Sequence, residues 1–225
     1  MIQQIKHLVQ ELSWLEPPPV FIGGATIGLY LDAFARSKLR TTIDVDIIVP
    51  RITTYLQWTV LESKLREHSW SPMMEGPICR YVSPSGILVD MLPCHPEILG
   101  FAGKWYPVIA EDYIEVVVDG VAIRIAQPAH LLASKIEAFE DRGNDDPVMS
   151  HDFEDIVSLV DGCGDLIGSV GEQSDVTRNW IVAKLQHFQQ SNWFIGATLG
   201  SLPRGGNQGD REKQFMDKWK RLTDL

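Results

Sequence analysis

Three short stretches of the sequence carry residues whose types and spacing could do chemistry: TTIDVDIIV, GILVDML and FIGGATIGLYL. In the first, Asp44 and Asp46 stand at i and i+2 of an apolar run that reads as a buried strand. Both carboxylates therefore emerge on one face and Val45 on the other. Carboxylates set side by side repel, and in apolar surroundings one of them would take up a proton. A hard divalent cation resolves that conflict. Oxygen ligands suit Mg²⁺ or Mn²⁺, and the absence of accompanying His and Cys argues against zinc. Asp90 lies inside ILVDML, whose other side chains are apolar. A strand carrying it beside Asp44 and Asp46 would complete a three-carboxylate set of the kind phosphoryl transfer needs.

Gly23 and Gly24 end a short apolar strand, Val20 to Ile22. Missing side chains let backbone N–H groups approach phosphate oxygens, and the helix expected next aims its positive end at the same place. Each signal alone also has a structural reading: a GG pair as a plain turn, a DxD as a solvated strand edge, a strand Asp as partner of a nearby backbone turn. The order strand-GG-helix, then DxD, then strand Asp is what singles them out.

The elements that must position these residues follow from periodicity. Ile2, Ile5, Leu8, Val9 and Leu12 predict an opening amphipathic helix, stopped by Pro17, Pro18 and Pro19. A helix is expected from Ala25 to Phe34 with Ile27, Leu31 and Phe34 on one face, then a basic stretch, ARSKLRTT. A strand over Val45 to Val49 precedes a helix from Tyr55 to Arg66 that should bury Leu56, Val60, Leu61 and Leu65. ICRYV, SPSG and ILVDML form one hairpin signal; IEVVVDGVAIRI forms a second, with Asp119-Gly120 suited to a type I′ turn. Helices should follow from Pro128 through Phe139 and from His151 to Val160. The last helix presents Phe215, Trp219 and Leu222 as a packing face for a core or a partner. The fold class expected is α+β, a mixed β-sheet flanked by helices, with residues 1–126 as the catalytic domain and 127–225 as a helical C-terminal part.

A formal net charge of -10 argues against a surface that wraps nucleic acid, because backbone binding needs Lys and Arg. It leaves room for a small nucleotide, or for an RNA touched at one end. Arg36, Lys38, Arg40 and Arg51 flank the DxD strand; they read either as a soluble charged loop or as a local patch for triphosphate or RNA. The odd number of cysteines, Cys79, Cys94 and Cys163, reads as reduced, partly buried thiols in a cytoplasmic protein. No stretch of 18 apolar residues occurs, so a membrane span is not expected.

In Gly23-Gly24, Asp44/Asp46 and Asp90 the sequence resembles the nucleotidyltransferase superfamily, and within it the AbiEii/AbiGii-type toxin family. The downstream words LLASKIEAFEDR and HDFEDI are similar to that branch. The resemblance spans roughly Phe21 to Val160. It departs in a long gap between Gly24 and Asp44, and in His151 where Arg is common. It implies a metal-dependent enzyme moving a nucleoside monophosphate from an NTP to a hydroxyl. Asp44, Asp46 and Asp90 would hold Mg²⁺ or Mn²⁺. Gly23, Gly24, Thr26, Arg40 and Lys135 would face the nucleotide, and Lys135 and Asp152 would be functional, with Asp155 the second acid. A tRNA acceptor end is the acceptor expected first, with a cognate antitoxin as partner. An antibiotic-type or other small-molecule nucleotidyltransferase is the alternative, and a non-catalytic nucleotide- or partner-binding module the third. Without the resemblance, Lys135 sits among Leu131, Leu132, Ile136 and Phe139 and reads as a snorkelling side chain.

Overall fold

Turn chemistry and apolar alternation build the elements of a computed structural model that describes residues 1–142, 146–203, 205 and 207–225. In chain order these begin with α1 (Ile2–Glu11), β1 (Val20–Ile22), a 3₁₀ turn at Gly24–Thr26, α2 (Ile27–Tyr30), α3 (Ala33–Arg36) and β2 (Asp44–Ile48). Next come α4 (Tyr55–Glu67), β3 (Ser71–Pro72), β4 (Arg80–Val82), β5 (Leu88–Leu92), α5 (Pro96–Leu99), α6 (Tyr106–Glu111), β6 (Tyr113–Val118) and β7 (Val121–Ala126). The chain continues in helices: α7 (Pro128–Arg142), α8 (His151–Gly162), α9 (Leu166–Gly171), α10 (Asp175–Gln190), α11 (Phe194–Ser201) and α12 (Gln208–Thr223). Among the described residues, no helix is long and apolar enough to cross a membrane.

Two compact units result. The first joins Met1–Thr26 to Thr41–Gln127; the second joins Ile27–Arg40 to Pro128–Leu225. The segment Ile27–Arg40 thus goes with the C-terminal helices rather than with the sheet. The first unit is a mixed seven-stranded sheet of order β3-β4-β5-β2-β1-β7-β6. β2 runs parallel to β5, and β1 parallel to β7, while β1 and β2 are antiparallel. The β6–β7 hairpin turns at Asp119 (φ 48) and Gly120 (φ 80), the two left-handed residues a type I′ turn requires.

On one face of the central strands Val45, Ile47, Val89 and Met91 are completely buried. That burial anchors the register, because a slip of one residue would bring the charged neighbours into the core. α4 behaves differently from its expected pattern. It starts on a capping box between Thr54 and Gln57 and buries Trp58, Leu61 and Leu65, leaving Leu56 74% and Val60 51% exposed. Trp58 is the larger apolar body, and the face it shares with Leu61 and Leu65 is the one that turns inward.

In the second unit the helix expected over Ala25–Phe34 is interrupted. Leu31 forms an isolated bridge to Cys163, and the Asp32 N–H donates to the Gly162 carbonyl at 3.1 Å. Asp32 then caps α3, its Oδ1 accepting from the Ala35 N–H at 2.8 Å. A tertiary partner for the backbone thus outcompetes the continuing helix. Phe139, Phe153, Phe188 and Trp193 form one aromatic cluster with edge-on and tilted contacts. Phe215, Trp219 and Leu222 are completely buried, so the face of α12 is core.

Candidate active site

The candidate site in the first unit grows from strand pairing. Asp46 of β2 lies opposite Asp90 of β5, and Asp90 lies opposite Arg80 of β4. Residues directly opposite share a face, and strands sit about 4.8 Å apart, so Arg80, Asp90 and Asp46 form a row across three strands. Asp44, two residues before Asp46, falls on the same face. The sheet therefore brings together all three carboxylates singled out in the sequence.

Gly23 closes the row from the other side. It follows Ile22, the β1 partner of Asp46, and has φ +74. A Cβ built on it would come within 2.0 Å of the Asp46 Oδ2. The missing side chain thus admits the carboxylate as well as the left-handed backbone. Thr26 is completely buried, and its hydroxyl donates to the Gly23 carbonyl at 2.9 Å, fixing the turn. Gly23→Ala is expected to cost about 2 kcal/mol, from the left-handed backbone and the displaced Asp46 together. Thermal melting measures this, and unchanged melting would mean that the turn relaxes freely.

Sequence reasoning passed over Arg80. Its Nε donates to Asp90 Oδ1 at 2.7 Å and its Nη2 to Asp90 Oδ2 at 2.7 Å, a two-pronged pair. The same Nη2 also donates to Asp44 Oδ2. The hydrogen bond to Asp90 is the main cause holding the guanidinium even more firmly protonated than usual, against the opposing effect of burial. The signal was present as a lone Arg in ICRYV, yet only the strand register gives it meaning. Beside it, burial, with a smaller contribution from Asp90, pushes the Cys79 thiol up to about 12, and burial pushes the Cys94 thiol up to about 11. All three cysteines are free and buried, and such thiols are poor nucleophiles.

The carboxylate chemistry suits a hard divalent cation. As arranged, however, no group of three or more His, Cys, Asp or Glu among the described residues is set to hold one. The Arg80 guanidinium already takes oxygens of Asp44 and Asp90.

The second unit gathers Lys135, Asp152, Asp155 and Arg40 into one charge cluster. Lys135 Nζ lies 2.7 Å from Asp155 Oδ2 and 3.1 Å from Asp152 Oδ1. Asp152, in the first turn of α8, and Asp155 stand at i and i+3, and both face α7. Arg142 reaches Asp152 at 3.1 Å, and Arg40 reaches Asp155 at 3.3 Å and Glu154 at 3.6 Å. Lys135 is 8% exposed and Asp155 2%, so this ammonium is buried in an ion-pair network instead of snorkelling. Arg36 donates to the Leu31 carbonyl at 2.9 Å, and Lys38 is exposed. Arg51, also exposed, belongs to the first unit.

An antigenic nucleotidyltransferase-like protein from Paracoccidioides brasiliensis superposes with a TM-score of 0.50 at 17% identity, covering 90% of this chain and 93% of that one. The fold is nucleotidyltransferase-like. No protein-family model and no curated protein matches the sequence. At this identity the likeness describes a nucleotidyltransferase-like mixed sheet with flanking helices, and it is the row of Arg80, Asp90 and Asp46 that gives this sheet its chemical character.

Proposed function

We propose that the chain is a metal-dependent nucleotidyltransferase, moving a nucleoside monophosphate from an NTP to a hydroxyl, first of all at a tRNA acceptor end. The observation that carries this reading is the register of β2 and β5, which sets Asp46 against Asp90, with Asp44 on the same face and Gly23 packed against the Asp46 carboxylate. In the reaction the acceptor oxygen attacks the α-phosphorus, and a new P–O bond forms. The bond to the bridging α–β oxygen breaks, pyrophosphate leaves, and the hydroxyl proton passes to solvent. Asp44, Asp46 and Asp90 are the residues that would hold Mg²⁺ or Mn²⁺. A bound divalent cation would supply charge neutralisation on the phosphates and a more acidic acceptor hydroxyl. The left-handed turn at Gly23 leads from β1 into the short 3₁₀ turn beside Asp46, and a glycine turn of this kind suits a close approach of phosphate oxygens to the backbone. Lys135 and Asp152 keep the functional roles that the toxin-family resemblance implies, and a cognate antitoxin belongs to the same reading.

One observation favours a second reading. Arg80 neutralises two of the three carboxylates, as a nucleotide-binding module without catalysis would allow. Burial of Phe215 and Trp219 withdraws the partner-binding surface that α12 would otherwise have offered such a module. Incubating the purified chain with each α-labelled NTP and Mg²⁺, with total tRNA in one arm and an aminoglycoside in the other, separates these readings. Label on the RNA with release of pyrophosphate supports the first, and label on the antibiotic moves the acceptor class. Absence of label in both arms removes the enzymatic reading.

A further inference from the structure

We propose that Arg80 is the resident counter-cation of the carboxylate triad, and that a divalent cation binds there only by displacing it. This makes Arg80 the residue that sets the metal affinity of the site. The inference rests on the metal-dependent reading above and adds to it a residue that neither the sequence pattern nor the fold likeness points to.

Three observations carry it. First, Arg80 is paired in register with Asp90, so its side chain must leave the sheet on the triad's own face. Second, its fork engages both oxygens of Asp90 and one of Asp44, the same lone pairs a metal would use. Guanidinium and divalent cation also repel, so the two are alternative occupants. Third, the side chain has somewhere to go. Residues 71–78, the stretch leading into β4, are exposed throughout, and the nearest heavy atoms to a Cβ built on Gly76 would be Arg80 Cδ and Nη1, at 3.8 and 3.9 Å. A withdrawn guanidinium would therefore meet solvent on that flank rather than packed core. The Arg80 side chain is itself 20% exposed, so it already borders solvent.

The consequence follows from linkage. When only the Arg-withdrawn state binds metal, the apparent dissociation constant is raised by the reciprocal of that state's population. Removing the guanidinium removes this penalty, and it also removes a positive charge close to the incoming ion. Both effects have the same sign.

The test is Mn²⁺ binding to the full-length chain, followed by the paramagnetic signal of free Mn²⁺, with thermal melting on the same samples. Arg80→Met should bind Mn²⁺ about tenfold or more tightly than wild type. It should melt lower without metal, because Asp44 and Asp90 lose their counter-charge, and recover on adding Mn²⁺. Arg80→Lys, which keeps the charge but loses the fork, should fall between. Asp46→Asn should weaken Mn²⁺ binding strongly, showing that the ion goes to the triad. Equal or weaker binding by Arg80→Met, with Asp46→Asn still defective, would overturn the role of Arg80 while leaving the metal reading intact. No Mn²⁺ binding by either wild type or Arg80→Met would overturn both. Should Arg80→Met fail to fold, the wild-type Arg80 Nε–H resonance provides the answer. It should move towards the free guanidinium position as Mg²⁺ saturates the chain, and a resonance that stays in place would overturn the proposal.

Discussion

Asp46→Asn is expected to fold with melting within about 1 kcal/mol of wild type and to lose about 1,000-fold or more in turnover. Asparagine has the shape of the carboxylate it replaces, so the close approach of Gly23 to this side chain is preserved. Asp44 and Asp90 keep their pairing with Arg80, and one like charge leaves the row, so the metal-free fold has no reason to weaken. Under the proposed metal-dependent reaction, losing one anionic oxygen that would hold the metal removes several kcal/mol of charge stabilisation, and about 4 kcal/mol corresponds to the stated loss in rate. Label transfer from NTP, with melting on the same preparation, measures both quantities. Undiminished turnover would take the triad out of the chemistry, and an unfolded variant would show that Asp46 is structural.

Lys135→Ala is expected to lower stability by about 3 to 5 kcal/mol, the usual cost of removing one partner from a buried ion pair. The ammonium lies 2.7 Å from Asp155, which is 2% exposed and, among the described residues, keeps Arg40, at 3.3 Å, as its remaining cation. Asp152 fares better, since Arg142 still reaches it from a more exposed position. Denaturant unfolding of the variant against wild type reads this directly. A change below about 0.5 kcal/mol would mean that the side chain behaves as a solvated surface lysine. The role implied by the family resemblance adds a separable kinetic effect, a fall of about 30- to 1,000-fold in turnover at saturating NTP, measured where the variant is still folded.

The sequence by itself determined whatever depends on neighbours along the chain. An i, i+2 spacing in an apolar run puts Asp44 and Asp46 on one face whatever the strand pairs with. Asp119-Gly120 supplies the two left-handed residues of a hairpin turn, and Pro128 starts a helix whose first turn has no need of its N–H. These preferences are set by backbone sterics and local hydrogen bonding, so they can be read within a few residues. Tertiary structure decided everything that needed a partner distant in the chain. Leu31 and Asp32 find Cys163 and Gly162, and the helix expected through them breaks. Trp58, rather than Leu56 or Val60, chooses the inward face of α4 because the fit of the core, not the mere count of apolar residues, selects it. Lys135 changes from a surface lysine to a buried cation because α8 brings Asp152 and Asp155 against it. Arg80 is an unremarked residue of an edge-side strand until the register of β4, β5 and β2 sets it on Asp90 and Asp44. That register is fixed by inter-strand hydrogen bonds and by the buried opposite face, neither of which is a property of any one segment.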